Sequence, residues 1–330
     1  MRILVTGGAG FIGSHVVEHH LAKGDEVVAV DNLSTGNLAN LAGFEKNHLF
    51  KFIQADILTW PEIDTYVAWA DRIYHLAAVL GVYRVIAEPI EVLRTNIIGT
   101  DCLLRSVVKS HSRARILIAS SSSAYGNSPQ PSLNEKDSLI ISPHTHPLWG
   151  YAVSKIADEA LGTAYFQTHK LPITYIRFFN TIGPRQTGLY GMVVPRFVQQ
   201  ACLNEPLTVY GDGTQTRSFC DVRDSIRALD IIAEKNLCIG EPINVGRDVE
   251  ITINDLANVV CERAKSNSTI KYIPYKEAYG KEFHDIKQRR PDIAKLRELT
   301  GFKHQWTLEK TVDDLIERFL SHQSKPVDVS

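Results

Sequence analysis

A tyrosine and a lysine four residues apart, Tyr151 and Lys155, are the first residues in this sequence whose types and spacing suggest chemistry. On a helix this spacing places both side chains on one face. A free tyrosine, with a pKa near ~10, is mostly protonated at neutral pH. A charge about 4 Å away supplies roughly the 4 kcal/mol that lowers this pKa by about 3 units. The pair can therefore take a proton from an alcohol while a hydride leaves the same carbon.

A run of four serines at residues 120–123 follows an apolar segment at residues 115–119. If that segment is a parallel strand, these hydroxyls lie at its carboxyl end, where such folds bind ligands. A hydroxyl there can hold the reacting oxygen in line. A second pair with the same spacing, Tyr272 and Lys276, contains Pro274 and lacks this context, so we interpret it as a coincidental match.

A G-x-x-G-x-x-G motif at residues 7–13 lies between an apolar run and a helix-like segment. Glycines let backbone N–H groups approach a pyrophosphate at the N-terminus of the helix. The next apolar run ends in Asp31, whose carboxylate can accept both ribose hydroxyls of an adenosine and would repel a 2′-phosphate. Because residues 32–40 contain no Arg or Lys, the sequence predicts NAD rather than NADP.

Short apolar runs alternate with amphipathic stretches through the first half of the chain. Strands are predicted at residues 2–6, 26–30, 49–54, 72–76, 115–119 and 173–178. Helices are predicted at residues 11–23, 61–69, 89–109 and 151–169. This alternation predicts an α/β fold with a doubly wound parallel sheet of the Rossmann type.

Past residue 178 glycine and proline become frequent, which is typical of a smaller, loop-rich lobe. Helices are predicted there at residues 194–203, 222–235, 253–265 and 307–321. The apolar run at residues 242–245 fits the first sheet better than the second lobe. We therefore predict an NAD-binding Rossmann domain over residues 1–178, with about 220–246 added, and a substrate-binding α/β lobe from the remainder of 179–330.

The overall composition excludes several classes of function. With 36 Lys+Arg against 37 Asp+Glu, the net charge of −1 offers no broad attraction to nucleic acid or anionic lipid. The apolar runs are far shorter than the ~18 residues of a membrane span. Five scattered cysteines without a C-x-x-C pair are typical of a reducing cytosol. His144 and His146 have no third ligand nearby, so a cytoplasmic protein without a metal site is expected.

Together these motifs resemble the extended short-chain dehydrogenase/reductase superfamily, in its nucleotide-sugar epimerase/dehydratase branch. The resemblance covers nearly the whole chain, and within this branch the chain resembles UDP-glucose 4-epimerases. It continues through R-F-F-N-T-I-G-P-R at residues 177–185, L-T-V-Y-G-D-G-T-Q-T-R at 207–217 and R-P-D at 290–292. It implies a Rossmann domain with tightly held NAD and a C-terminal lobe that binds a nucleoside-diphosphate sugar.

The resemblance also implies the roles of individual residues. The expected catalytic residues are Ser121, Tyr151 and Lys155. The expected cofactor contacts are Gly7, Gly10, Phe11, Ile12, Gly13, Asp31, Asn32, Asp56, Ile57, Leu76, Ala77, Ala78, Asn96, Tyr151 and Lys155. The expected substrate contacts are Ser122, Ser123, Asn180, Val194, Pro195, Val209, Tyr210, Arg217 and Arg289. Of these, the two arginines are expected to hold the diphosphate, and surface ion pairs are their alternative role.

The residues after the catalytic hydroxyl bear on the reaction. In this branch the 4,6-dehydratases carry Asp-Glu there, and glucuronate decarboxylases usually carry a Glu two residues before the Tyr-Gly pair. This chain has Ser122 and Ser123, which cannot transfer protons near neutral pH, so the run resembles the 4-epimerases. The resemblance thus implies an NAD-dependent UDP-sugar 4-epimerase, in which Tyr151 takes the C4 hydroxyl proton, a 4-keto sugar forms and NAD is regenerated.

Two alternatives remain open from the sequence. A UDP-glucuronate decarboxylase or a nucleotide-sugar 4,6-dehydratase would follow the same oxidation with a further step. A non-catalytic NAD-binding sensor would not need the catalytic trio. The helices at residues 89–109 and 151–169 each carry a second apolar face, and the resemblance implies that they pair across a two-fold axis. A homodimer is therefore expected.

Overall fold

The computed structural model describes residues 1–142, 148–188, 192–279 and 286–323. Its strands are β1 Arg2–Thr6, β2 Glu26–Asp31, β3 Phe50–Gln54, β4 Arg72–His75, β5 Arg115–Ser121, β6 Ile173–Phe178, β7 Thr181–Ile182, β8 Leu207–Tyr210, β9 Thr216–Ser218, β10 Cys220–Asp221, β11 Pro242–Val245, β12 Glu250–Thr252 and β13 Ile270–Ile273. Its helices are α1 Phe11–Ala22, α2 Ile63–Trp69, α3 Val82–Ala87, α4 Pro89–Leu93, α5 Gly99–Lys109, α6 Leu148–His169, α7 Val193–Cys202, α8 Val222–Glu234, α9 Ile253–Ala264, α10 Tyr275–Tyr279, α11 Ala294–Thr300 and α12 Leu308–Gln323.

Seven parallel strands form the central sheet, in the order β11-β6-β5-β4-β1-β2-β3. The order reverses at β1 and β4, so the carboxyl ends of these strands open the crevice in which such sheets bind ligands. The doubly wound α/β fold predicted from the sequence is confirmed. Strand β11 pairs with β6, as the apolar run at 242–245 predicts. The division into domains itself stays a prediction.

The sheet is apolar on both faces because helices cover both. In β1, Ile3 and Val5 join a core with α1, α8 and α11, while Leu4 joins a core with α2 and α5 on the other side. This explains why the strand reads as a continuous apolar run rather than an alternating one. The second lobe has its own core, in which Phe197 of α7 and Leu256 of α9 pack with β8 and α12.

The helix predicted over residues 89–109 differs from the structure. Helices α4 and α5 are separated by a π-helical turn, Arg94–Ile98, and α3 precedes them. The wide turn contains Asn96, whose side-chain amide accepts from the Val79 N–H at 2.8 Å and donates to the Val79 carbonyl at 3.2 Å. The turn is thus tied to the loop after β4, and such turns are frequent at functional sites. Among the described residues, no helix is both long and apolar enough to cross a bilayer.

Candidate active site

One cavity of about 1510 Å³ extends along the carboxyl edge of the sheet and into the second lobe. It is larger than the roughly 300–1,000 Å³ of a typical pocket for one small ligand. The ends of β1, β2, β4, β5 and β6 line one part, and α7, β8 and β9 line the other. The space therefore suits two ligands that meet near the middle, below the end of β5.

Within the glycine loop, Gly7 and Gly13 are packed too closely for any other side chain. Gly7 has a φ of +72°, and a Cβ there would lie 2.8 Å from the backbone nitrogen of Ala77. A Cβ on Gly13 would lie 2.1 Å from the Gly7 carbonyl oxygen. Gly10 precedes α1 without a side-chain cap, and the first residues of the helix line the cavity. The uncapped N–H groups thus form a cradle that fits a pyrophosphate.

Asp31 lies at the end of β2 and lines the same part of the cavity. Its carboxylate accepts hydrogen bonds from the backbone N–H groups of Leu33, at 2.8 Å, and Ala9, at 3.0 Å. Burial raises the pKa of this carboxyl, and the backbone N–H groups of Leu33, Ala9 and Gly10 oppose that shift. Since a carboxylate offers about four acceptor positions, it can still accept both hydroxyls of a ribose. These features fit the adenosine half of NAD.

We expect Asp31→Ala to weaken NAD binding and to reduce the preference for NAD over NADP about tenfold or more, or ~1.4 kcal/mol, because the repulsion of a 2′-phosphate is lost. Dissociation constants for both dinucleotides test this. Asp31→Asn is the companion variant, since its amide oxygen can keep an N–H donor while the charge is removed. An unchanged preference in both variants would show that another group reads the ribose.

Four of the expected ligand contacts do not line the cavity. Asn96 is buried under it. Asp56 accepts from the side-chain amide of Asn32 at 3.0 Å, and Asn32 does line the cavity. Val209 is fully buried in the core of the second lobe, and Pro195 lies in α7 between two lining residues. The structure thus places these four behind or between residues that face the cavity, and direct contact remains a prediction for each.

The expected catalytic residues meet at the end of β5. Ser121 ends the strand, and its Oγ accepts a hydrogen bond from the Ser123 N–H at 3.1 Å. Tyr151 and Lys155 lie one helical turn apart on α6, and all three side chains line the cavity. The Tyr151 ring packs against a small apolar cluster that contains Val79. The geometry therefore brings the predicted trio together.

Lys155 is 3% exposed, and its ammonium donates to the Ala119 carbonyl at 2.9 Å and to the Asp158 carboxylate at 3.0 Å. Burial alone lowers the pKa of this ammonium. The charge of the Asp158 carboxylate and the neighbouring Tyr151 outweigh burial, so the pKa is raised above its usual value. A permanent positive charge is thus fixed one helical turn from the tyrosine, as activation of its hydroxyl requires.

The helix that carries the pair is held to the sheet by a buried ion pair. Arg177 of β6 binds Glu159 of α6 at 2.9 and 2.7 Å in a two-pronged contact. Glu159 also accepts a 2.5 Å hydrogen bond from Ser120. Because a fork of two parallel bonds fixes orientation, this contact sets α6 against the end of β5.

The second-lobe part of the cavity holds most of the expected substrate contacts. Arg217 lies on β9 and donates to the Ile286 carbonyl at 2.8 Å, and Arg289 also lines the cavity. Asn180 donates to the Ser218 carbonyl at 3.1 Å. Val194 and Tyr210 line this part as expected, whereas Ser122 and Ser123 line the cavity at the end of β5.

Several lining residues were not predicted, and three of them are polar side chains of interest for a ligand. Arg196 of α7 stacks on the Tyr210 ring at 4.2 Å, and Arg185 and Gln215 line the same space. The Arg196 Nε and the Gln215 Oε1 are buried and have no hydrogen-bond partner within the described part of the chain, which suits a polar ligand. The sequence did contain a signal for them. Arg185 and Gln215 lie within the motifs at residues 177–185 and 207–217, and Arg196 follows the expected contact Pro195.

In the part of the chain that the structure describes, no cluster of three or more His, Cys, Asp or Glu side chains has the arrangement of a metal site. His144 and His146 lie outside the described residues. His75 at the end of β4 is 3% exposed and lies between the hydroxyls of Thr6 and Thr100 at 2.8 and 3.1 Å.

The family model of GDP-mannose 4,6 dehydratase matches residues 4–315. The chain is 35% identical to UDP-N-acetyl-alpha-D-glucosaminuronate decarboxylase of Bacillus cytotoxicus, over 96% of this chain and 97% of that protein. It is 35% identical to UDP-glucuronic acid decarboxylase 1 of Danio rerio, over 98% of this chain and 74% of that protein.

Among solved structures, the UDP-glucuronic acid 4-epimerase of Bacillus cereus, in complex with UDP-glucuronic acid and NAD, is 30% identical with a TM-score of 0.85. It covers 97% of this chain, and this chain covers all of it. The family match, the relatives and the shared fold agree with the site built above from the glycine loop to the tyrosine–lysine pair. The chain therefore belongs to the GDP-mannose 4,6-dehydratase family, the NAD-dependent nucleotide-sugar epimerases and dehydratases of the extended short-chain dehydrogenase/reductase superfamily.

Proposed function

We propose that this protein is an NAD-dependent decarboxylase of a UDP-hexuronate, which acts through oxidation at C4 of the sugar. The observation that carries the proposal is the agreement over nearly the whole chain with decarboxylases of UDP-hexuronates. The tyrosine–lysine pair and the two-part cavity supply the site for that chemistry. This reaction was the alternative to the 4-epimerase that the serine run predicts.

Bound NAD supplies a two-electron oxidant that accepts a hydride from a sugar carbon and returns it later. Tyr151, one helical turn from the Lys155 ammonium, takes the proton of the C4 hydroxyl. Ser121 donates a hydrogen bond to the C4 oxygen and holds it in line with the tyrosine. The product of this step is a 4-keto hexuronate.

Such a 4-keto sugar is a β-keto acid, because the carboxylate on C5 lies next to the C4 ketone. The C5–C6 bond breaks, carbon dioxide leaves, and its electron pair forms an enolate on C5, C4 and the C4 oxygen. Tyr151, now protonated, and Ser121 can donate to that oxygen. No added base takes part in this step, so Ser122 and Ser123 do not exclude it. One proton from solvent then reaches C5, and reduction at C4 completes the cycle.

The arginines that line the cavity hold the diphosphate of the substrate and so position its sugar. A diphosphate carries about two negative charges, and forked guanidinium donors such as Arg217 and Arg289 suit it. Both line the cavity, and Arg217 lies on β9 of the second lobe. The sugar would then reach the end of β5 while the base lies near Tyr210.

A second candidate is 4-epimerisation of the same class of sugar. Its support is the pair Ser122 and Ser123, where glucuronate decarboxylases usually carry a glutamate. A UDP-glucuronic acid 4-epimerase is also among the similar structures. An epimerase would have to keep the carboxylate on the 4-keto intermediate until C4 is reduced from the other face.

The test is incubation of the protein and NAD with UDP-glucuronate, UDP-N-acetylglucosaminuronate and UDP-glucose, followed by mass spectrometry and NMR. We expect the product of each hexuronate to be lighter than its substrate by the mass of carbon dioxide. UDP-glucose should stay unchanged. An unchanged mass with inverted C4 would replace the proposal by the epimerase. Loss of water would indicate a dehydratase, and no product from any sugar would favour the sensor.

We also propose that the protein is a homodimer through α4, the π-helical turn and α6. Ile90 of α4 is 80% exposed, and Ile98 of the π-helical turn and Val153 of α6 are 47% and 40% exposed. Helix α6 packs beside both α4 and the turn. A self-complementary apolar patch is what two-fold pairing requires. Sedimentation at micromolar concentration should give twice 36.9 kDa.

A matched pair of variants tests this surface. Ile90→Arg should shift the protein toward the monomer, whereas Leu237→Arg, at a 75% exposed position outside these helices, should not. A monomeric parent protein would reject the dimer.

A further inference from the structure

A buried carboxylate that the proposed mechanism does not use lies one helical turn beyond the catalytic lysine. Asp158 is 1% exposed, and its Oδ2 accepts a hydrogen bond from Lys155 Nζ at 3.0 Å. Its Oδ1 accepts a second bond from the Thr100 hydroxyl at 2.8 Å. Removal of a carboxylate from water is costly, so it persists only where charge and hydrogen bonds compensate.

Asp158 also ends a chain of hydrogen bonds that begins at the glycine loop. The Thr100 hydroxyl lies 3.1 Å from His75 Nε2, and His75 Nδ1 lies 2.8 Å from the Thr6 hydroxyl. The Thr6 oxygen accepts from the Ala77 N–H at 3.3 Å. Both Thr6 and Ala77 line the cofactor part of the cavity.

The direction of each bond in this chain follows from the carboxylate. Burial raises the pKa of the Asp158 carboxyl, and the charge of Lys155 and the bonds from Thr100 and Lys155 oppose that shift. Because the ionised carboxylate only accepts, the Thr100 hydroxyl donates to it and must accept from His75 Nε2–H. His75 Nδ1 is then the acceptor for the Thr6 hydroxyl. This assignment requires a neutral imidazole, and burial lowers the pKa of His75 to about 3. The chain is therefore self-consistent from Thr6 to Asp158.

We propose that Asp158 is a positioning residue of the Tyr151–Lys155 pair: its carboxylate fixes the lysine ammonium, orients the donors from Thr6 to Thr100, and sets the pH range in which the pair works. The inference rests on the proposed oxidation at C4. It adds to that proposal a residue that does not line the cavity.

The other charged groups near Lys155 leave Asp158 as its direct counter-ion. Glu159, on the same helix, is engaged by Arg177 of β6. Burial lowers the pKa of His75 of β4, so this imidazole carries no charge near neutral pH. On α5, Asp101 accepts from Tyr165 and pairs with an exposed arginine. The remaining group that acts on the Lys155 ammonium is Tyr151 itself, the proposed base.

Asp158→Asn removes the charge while it keeps the size of the side chain and an acceptor for Thr100. Each proton that leaves the tyrosine–lysine pair removes one positive charge. Without the neighbouring carboxylate this loss costs less free energy, so protons leave the pair at lower pH. Both limbs of the pH profile of kcat should therefore move to lower pH, by about one unit or more. A residue that only filled space would lower kcat at every pH and leave the limbs in place.

Asp224→Asn is the matched control. Asp224 is also fully buried on a helix, α8, and accepts backbone N–H bonds from Gln305 and Trp306, outside the catalytic pair. This variant should lose stability without any displacement of the pH profile. Limbs that stay fixed in Asp158→Asn, or move equally in both variants, would overturn the proposal.

A second measurement, the free energy of unfolding as a function of pH, needs no substrate. Its result therefore does not depend on the proposed function. In the parent protein the pKa of Lys155 is above its usual value, so its proton stays bound between about pH 7 and pH 10 in both the folded and unfolded states. Without the carboxylate, burial depresses the folded-state pKa below the unfolded value of about 10.4. The unfolded variant then binds more protons, and its free energy of unfolding rises with pH.

The stability deficit of Asp158→Asn against the parent should therefore shrink as pH rises across that range, measured by urea unfolding. Asp224→Asn should show no such trend. A deficit for Asp158→Asn that is independent of pH contradicts the proposal. If this variant does not fold, Asp158→Ser, which is smaller and also neutral, carries the same expectation. If the parent protein turns over none of the sugars while the stability trend is present, the proposed function is rejected and the role of Asp158 stands.

Discussion

Tyr151→Phe should lower kcat by about 10²- to 10⁴-fold, because it removes the group that exchanges a proton with the C4 oxygen. Only a hydroxyl is lost from a ring that packs against the cluster around Val79, so the fold and the affinity for NAD should persist. Circular dichroism, NAD binding and initial rates with a UDP-hexuronate check the three statements. Activity within tenfold of the parent would reject Tyr151 as the base.

Tyr272→Phe is the matched control for this prediction. Tyr272 also precedes a lysine by four residues, Lys276, but it lies on β13, is 53% exposed and does not line the cavity. Its substitution should leave kcat unchanged within about twofold, about 0.4 kcal/mol. The comparison of the two variants separates the effect of the four-residue spacing from the effect of a position at the cavity.

Lys155→Met should abolish activity and also destabilise the protein by about 3–5 kcal/mol, because it leaves the carboxylate of Asp158 buried without its ammonium. The lysine side chain is only 4% exposed, so solvent screens the pair weakly. Initial rates and urea unfolding give the two effects. A loss of stability below about 1 kcal/mol would mean that the pair contributes no more than a surface ion pair.

The double variant Lys155→Met/Asp158→Asn separates the two effects. Removal of both charges should restore a large part of the stability, since no unpaired charge then remains buried. Activity should stay lost, because the positive charge beside Tyr151 is still missing. Recovery of turnover in the double variant would contradict the role given to the lysine.

The sequence predicted the sheet well because each central strand is buried on both faces. Runs such as Ile173–Phe178 and Pro242–Val245 have the bounds expected from their apolar residues. The glycine loop and the tyrosine–lysine pair were also predictable, since a strand or helix of known direction fixes where their side chains meet.

Other features depend on contacts between distant residues. The π-helical turn forms around the Asn96–Val79 contact, which no local propensity encodes. Strands β9 and β12, only three residues each, pair across the second lobe and have no apolar run of their own. Arg196 faces the cavity because α7 packs there. The burial of Asp158 likewise depends on how α6 packs and cannot be read from the local sequence.

Turnover of a UDP-hexuronate in deuterium oxide tests the central claim most directly. A decarboxylase forms an enolate that must take a proton from solvent at C5, so the product should lack the carboxylate and carry one deuterium at C5. The hydrogen at C4 should be retained, because it leaves as a hydride and returns to the same sugar. A product that keeps its carboxylate and contains no deuterium at C5, with C4 inverted, would contradict the account and establish the epimerase.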